Sequence, residues 1–316
     1  MLNSPSLVGS DRILIVTPQP FYEDRGTPIA VRYVAQALSE LGAKVDVLAF
    51  PLGAEVSIPN VRVARSANPL HLHGVPIGFS WRKIALDASL WQSFSRRVRS
   101  GRYALVHAVE EAAYMAAMIC PHLGVPFIYD MASAIPVEMS RKRLFDVSWI
   151  RAALSRIEQH VIGAASRVVC SSGLADHVIR QVPQANVREW LYPAFTQPAA
   201  AAAAERLRAE LGLQRAQRVV LYSGNLAGYQ GMALLLDAFE RARHIRPELV
   251  LVCVGATPRD LAGKGRREYL DRPHVHVVAR QPRSKMPDYL RLADFLVLPR
   301  VAAENVPLKL FDYMAA

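Results

Sequence analysis

A chain of 316 residues has room for two domains of ordinary size, and a hydrophobic share of 52% excludes a disordered or fibrous protein. The net charge of +11 attracts phosphate-bearing partners, whether nucleic acid, anionic lipid or nucleotide, and does not choose among them. No run of 18 apolar residues is present, which argues against a membrane span, and the opening MLNSPSLVGSDR lacks the pattern of a secretory signal.

Along the chain, short β-branched runs alternate with longer stretches of helical period. In the first half, strands are expected at RILIVT (12–17), KVDVLAF (44–50), VRVAR (61–65), YALVHA (103–108), PFIYD (126–130), RVVCS (167–171) and VREWL (187–191). Helices are expected at about 28–41, 81–100, 110–122, 140–164 and 173–181. Pro198 and the alanines up to Ala204 read as a linker. A second series then begins: strand 218–223, helix 231–246, strand 248–255, strand 274–278, helix 284–292 and strand 294–299. Buried strands alternating with amphipathic helices predict two doubly wound, Rossmann-like α/β domains, 1–197 and 198–316, with ligands at the carboxyl ends of their strands. Cys120, Cys170 and Cys253 lie far apart and form no CxxC pair, so they read as core residues.

Three stretches carry candidate chemistry. After the first strand, Gly26-Thr27-Pro28 makes a helix start: Thr27 is a capping residue, Pro28 suits the first turn, and Gly26 lets backbone approach a ligand. No G-x-G-x-x-G is present, so a dinucleotide cofactor is not expected. In LPRVAAENVPLKLFDYMAA (298–316), Glu304 and Asp312 are eight positions apart. If Glu304 opens a helix, the two carboxylates share nearly one face and accept hydrogen bonds from hydroxyls spread along an extended ligand. The plain alternative is a capping Glu and a solvated Asp. Third, WRKIALDASLWQSFSRRVRSGR (81–102) carries six Arg or Lys and one acid. Trp81, Ile84, Ala88, Trp91 and Val98 fall on one stripe, with Phe94 beside it. Such a helix either lies in an anionic lipid surface or packs its apolar stripe on the sheet with its arginines solvated.

The acidic pair resembles the E-x7-E signature of retaining glycosyltransferases of the GT-B fold, family four, the group-one set. YSGNLAGYQGMALLLDAFER (222–241), LVLVCVGA (249–256), MPDYLRLADFLVLP (286–299), GTPIAVRYVAQALSELGAKVDVLAF (26–50) and YDMASAIP (129–136) are similar to that family too, in the same order. The resemblance implies two domains facing across a cleft, the N-terminal one taking the acceptor and the C-terminal one the nucleotide diphosphate-sugar. Glu304 would meet hydroxyls of the reacting sugar, and Asp312 would hold the ribose. His107, at a strand end, reads as a catalytic residue on the acceptor or sugar side, the plain alternative being a hydrogen-bonded structural histidine. Gly26, Thr27, Gly224, Asn225, Gln230, Arg300, Asn305, Val306, Pro307 and Leu308 would line the donor. The resemblance implies no metal and no cofactor, the nucleotide-sugar being a substrate, and the absence of any Asp-x-Asp agrees with this. It implies a cytoplasmic enzyme of bacterial glycan, glycolipid or polysaccharide assembly, peripheral at the inner face of the cell membrane, with a glycan or lipid-linked acceptor. A nucleic-acid partner is not expected, because no binding motif accompanies the charge.

The chain departs from the family pattern in three ways. Asn225 and Gln230 stand where an Arg and a Lys would hold the diphosphate; Arg300, Arg280 or Lys309 are substitutes, with Arg300 preferred. Ala132 and Val109 occupy positions where relatives carry His. Finally, the sequence stops after YMAA, where relatives continue, so the C-terminal domain is expected to be truncated. These departures keep open a second reading: a catalytically weak or inactive relative that binds a nucleotide-sugar or a glycan-assembly partner.

Overall fold

The computed structural model describes residues 12–24, 26–75, 81–101, 103–134, 147–190, 201–226, 230–256, 272–300 and 306–316. These residues fall into two compact units, one before and one after the 191–200 stretch, except that Val306 groups with the first. The expected boundary at 197/198 lies outside the described residues.

The first unit is a seven-stranded sheet built from β1 (Arg12–Pro20), β2 (Lys44–Phe50), β3 (Val61–Arg65), β4 (Leu105–Val109), β5 (Phe127–Met131), β6 (Arg167–Cys170) and β7 (Val187–Glu189). The strand order is β3-β2-β1-β4-β5-β6-β7, every pairing parallel. Its helices are α1 (Gly26–Glu40), α2 (Trp81–Arg99), α3 (Ala112–Ile119), α4 (Ser148–Ala164) and α5 (Ser172–Gln181). Alternate residues of β1 point to opposite faces, and each face has its own core. Ile13 and Ile15 pack with Val31 and Ala35 of α1. Leu14 and Val16 join Leu86, Leu90 and Phe94 of α2 and apolar residues of α3, α4 and α5. Each large side chain so buried contributes about 1.5–3 kcal/mol from desolvation.

The second unit has a four-stranded parallel sheet in the order β10-β9-β8-β11. Its strands are β8 (Arg218–Ser223), β9 (Leu249–Ala256), β10 (Val275–Ala279) and β11 (Phe295–Leu296). Its helices are α6 (Ala201–Glu210), α7 (Met232–Ile245), α8 (Met286–Leu292) and α9 (Leu308–Ala315). β8 again divides its side chains. Val220 and Tyr222 pack with Leu235 and Phe239 of α7, while Val219 and Leu221 pack with Leu207 of α6 and Tyr289 and Leu290 of α8. Both units are thus covered on two faces, as the alternating pattern predicts.

Three expectations about elements need correction. Ala201–Ala204 are the first turn of α6, not linker, because alanine has the strongest intrinsic helix preference. The core stripe of α2 is Leu86, Leu90, Phe94 and Val98; Trp81 and Ile84 are instead 65% and 52% exposed, and Ala88 is exposed beside them. The final helix starts at Leu308, with Pro307 as its cap, and not at Glu304. Strand ends move by a few residues, and the start of the helix expected at 140 lies outside the described residues. The three cysteines are free and buried, and burial pushes each thiol up to about 12, as core residues require. Among the described residues, no helix is long and apolar enough to cross a membrane.

Candidate functional site

In an open parallel sheet the ligand crevice forms where the strand order reverses, outside the carboxyl ends of two neighbouring strands. In the first unit that point lies between β1 and β4. In the second it lies between β8 and β11. Most of the expected residues that the structure describes lie near these two places; Val306 is an exception, its N–H donating to the Ser171 hydroxyl after β6.

At the first switch point, β1 runs out to Pro20 and α1 begins at Gly26. An added Cβ at Gly26 would meet nothing within 4 Å, so its backbone faces open space. Thr27 lies inside the first turn, and its hydroxyl does not cap: Oγ1 donates to Glu110 Oε1 at 3.3 Å. The other carboxylate oxygen of Glu110 accepts from Gln19 Nε2 at 2.9 Å. Glu110 itself follows β4 in a left-handed conformation, φ +51°, which a side-chain-bearing residue adopts at a cost. Its backbone N–H donates to the carbonyl of Asp130, tying the β4 and β5 ends together.

His107, on β4, is 5% exposed, and its Nε2 lies 3.0 Å from Oδ2 of the equally buried Asp130. Its ring is 6.0 Å from that of Trp190, which follows β7. The carboxylate fixes the imidazole's orientation, and His107 stands in the middle of β4, not at the strand end where the sequence suggests it. Sequence reasoning found His107 and missed Glu110 and Asp130. The only local signal was the pair of acids directly after a strand in VHAVEE.

At the second switch point the chain is crowded with glycine. Gly224 ends β8 with φ +140° and Gly231 caps α7 with φ +79°, both in the region that favours glycine. A Cβ at Gly231 would overlap the Pro299 carbonyl that follows β11, and one at Gly255 would come within 2.5 Å of the Gly224 carbonyl. Gly224 and Gly231 therefore lie against the neighbouring strand ends with bare backbone. Asn225 is half-buried, and its carbonyl accepts from Tyr222 Oη at 2.8 Å. Gln230 is buried, 8% exposed.

The cation at this loop comes from α9. Lys309 Nζ donates to Tyr222 Oη and to Gln230 Oε1, each at 3.2 Å, and stands 4.4 Å over the Tyr222 ring. It reaches to within 2.5 Å of where a Gly224 Cβ would be. Burial and the nearby charge of Arg300 pull the ammonium's pKa down to about 8. Arg300, the preferred candidate, is thus close enough to act on Lys309, and Lys309 is the cation whose contacts with Tyr222 and Gln230 are described. Arg280 follows β10, two strands from β8.

Asp312, expected to be open to ribose hydroxyls, is only 6% exposed. Its oxygens accept from both terminal nitrogens of Arg283, at 3.3 and 3.4 Å. The next residue, Tyr313, accepts from the backbone N–H of Ser223 at 2.8 Å and meets the Ser223 hydroxyl at 3.0 Å, which docks α9 on the end of β8. Val306, Pro307 and Leu308 lead into α9 and are half-buried. Glu304 and Asn305 lie outside the described residues. Among the described residues, no cluster of three metal-ligating side chains occurs.

Solved structures with this fold are glycosyltransferases of the GT-B class. Sucrose-phosphate synthase from Thermosynechococcus elongatus matches with a TM-score of 0.69 at 18% identity, over 94% of this chain and 77% of that one. WaaG, a glycosyltransferase involved in lipopolysaccharide biosynthesis, matches at 0.67 and 13% identity, over 92% and 76%. The catalytic domain of starch synthase IV from Arabidopsis thaliana, bound to ADP and acarbose, also matches at 0.67 and 13%, over 96% and 81%. No curated protein sequence matches. The family is given by sequence models: residues 25–193 match the glycosyl transferase 4-like domain, and residues 203–316 match glycosyl transferases group 1. The chain belongs to this glycosyltransferase family and transfers a sugar from a nucleotide-sugar donor to a glycan acceptor.

Proposed function

We propose that the chain is a metal-independent, retaining transferase that binds a nucleotide diphosphate-sugar on its second unit and a glycan or lipid-linked acceptor on its first. The observation that carries this reading is the second switch point. Gly224 and Gly231 present bare backbone there, a helix N-terminus begins at α7, and a half-buried ammonium reaches the same loop. Backbone N–H groups, a helix's positive end and a cation together suit two linked phosphates. Glu304 is proposed to accept hydrogen bonds from the donor sugar. Asp312 is proposed to meet the ribose while keeping its partner Arg283, whose charge offsets the carboxylate's burial.

In this reading, departure of the nucleoside diphosphate is eased by charge stabilisation in place of a metal, and the acceptor hydroxyl enters on the face the diphosphate leaves. His107, fixed by Asp130, is proposed to lie on the reacting-sugar side of the first unit. No cofactor and no nucleic-acid partner is proposed. A peripheral position at the inner face of the membrane is supported by Trp81, Ile84 and Ala88. They are exposed on one face of α2 beside Arg82, whose guanidinium lies 5.7 Å from the Trp81 ring. The second reading, a relative that binds donor without turning it over, is favoured by Asn225 and Gln230. Lys309 weighs against it by returning a cation to that loop.

The test is nucleoside diphosphate release from UDP-, GDP- and ADP-linked hexoses with glycan and lipid-linked acceptors. Glu304→Ala is expected to lower release by about a hundredfold or more, the scale of removing one transition-state contact. The product anomer, read by NMR, is expected to keep the donor's configuration, and chelation with EDTA to leave the rate unchanged. An inverted product, EDTA sensitivity or a fully active Glu304→Ala would contradict the reading.

A further inference from the structure

We propose that Lys309, projecting from α9, supplies the positive charge that grips the donor's diphosphate, in place of the cations missing at Asn225 and Gln230. The proposal rests on the donor reading above and deepens it by assigning the charge to a residue of a different element.

Four observations converge on Lys309. First, geometry places its ammonium at the β8–α7 loop: it contacts Tyr222 and Gln230 and presses on Gly224, where no side chain intervenes. Second, both hydrogen-bond partners are neutral acceptors, and among the described residues no carboxylate forms a salt bridge with it. Third, the charge that acts on it is another cation, Arg300, so two positive groups approach one place. An anion arriving there is attracted by both. Fourth, its own helix is locked. Asp312 holds Arg283, and Tyr313 holds the end of β8 through Ser223, so the ammonium is aimed before any ligand arrives. A preorganised cation costs little reorganisation when charge develops on a leaving group.

A consequence separates this arrangement from an arginine in the loop. The Lys309 ammonium titrates near pH 8, because burial and Arg300 both disfavour its charge. The groups facing it are Arg300, the Tyr222 hydroxyl and the neutral Gln230; the next turn of α9 carries Asp312, paired with Arg283 from ahead of α8, and the hydroxyl of Tyr313. An anion binds the protonated form, so binding draws a proton onto Lys309 above pH 8. Affinity is full below about pH 8 and falls as the pH rises through it.

The experiment is titration calorimetry of the whole chain with inorganic pyrophosphate, UDP, GDP and ADP, at pH 7 and pH 9 and in two buffers of different ionisation enthalpy. Wild type is expected to bind pyrophosphate and at least one nucleoside diphosphate about tenfold more tightly at pH 7, with proton uptake at pH 9. Lys309→Gln is expected to lose about tenfold or more at pH 7, and Lys309→Arg to restore binding while removing both the pH dependence and the proton uptake. A merely structural lysine would not produce that last result. Equal binding by wild type and Lys309→Gln, or a pH dependence that survives in Lys309→Arg, overturns the assignment while leaving the donor reading intact. Failure of wild type to bind any of the four ligands overturns both.

Discussion

The two switch points are built from the same parts and differ in the sign of their charge. In the first unit, the strand end and helix start carry the Glu110 carboxylate, already engaged with Thr27 and Gln19, and a glycine facing open space. In the second, the corresponding strand end and helix start carry the Lys309 ammonium and glycines with no space around them. A carboxylate beside a helix N-terminus satisfies the positive end of that helix, and a second anion arriving there would be repelled. On the proposed reading, the same phosphate is attracted in the second unit. The comparison thus supports the proposal that phosphate goes to the second unit and uncharged hydroxyls to the first, although both present glycine and a helix N-terminus.

The sharpest way to break this comparison is at the crowded glycines. Gly231→Ala places a Cβ against the Pro299 carbonyl in a left-handed backbone, and we expect a loss of about 2–4 kcal/mol in chemical denaturation. A loss below about 1 kcal/mol would show that the loop does not lie against β11's end as described. On the other side, Gly26→Ala adds a Cβ to open space at a helix start. Stability is expected to hold or rise by up to about 1 kcal/mol, while donor turnover falls about tenfold if a ligand approaches that backbone. Stability falling together with turnover would mean that Gly26 matters for folding alone.

A smaller effect is expected on the surface of α2. Replacing Trp81 and Ile84 by serine removes two exposed apolar groups and leaves the core stripe from Leu86 to Val98 untouched. Sedimentation with vesicles containing anionic lipid is expected to fall several-fold in the double variant, with denaturation unchanged. No lipid dependence in the wild type would end the membrane proposal.

The strands were legible because parallel, two-sided burial leaves continuous β-branched runs such as KVDVLAF and LVLVCVG, which any chain of this class must show. The edges were less legible. The alanines from 201 looked like low-complexity linker because alanine has no pattern, yet it is the residue that most favours helix. On α2, two apolar stripes share one helix, and only tertiary contact decides that Leu86, Leu90 and Phe94 are buried while Trp81 and Ile84 are not.

The site was legible as motifs but not as partners. Glu110 was invisible as a clamp because Gln19 and Thr27 lie 91 and 83 residues away in sequence. Asp312 read as an open carboxylate because nothing local reveals Arg283, 29 residues earlier, closing on it. Lys309 was one of three cations that could repair the diphosphate loop. The register of α9, set by the Tyr313–Ser223 contacts, is what brings it to Tyr222 and Gln230.

The most direct test of the central assignment, nucleotide on the second unit, is hydrogen exchange of backbone amides with and without UDP, GDP or ADP at saturating concentration. Protection is expected at residues 222–226, 230–233 and 306–313, with the acidic turn at 110–113 unchanged. Protection confined to the first unit would contradict the account, as would a complex that forms without slowing exchange at the ends of β8 and α9.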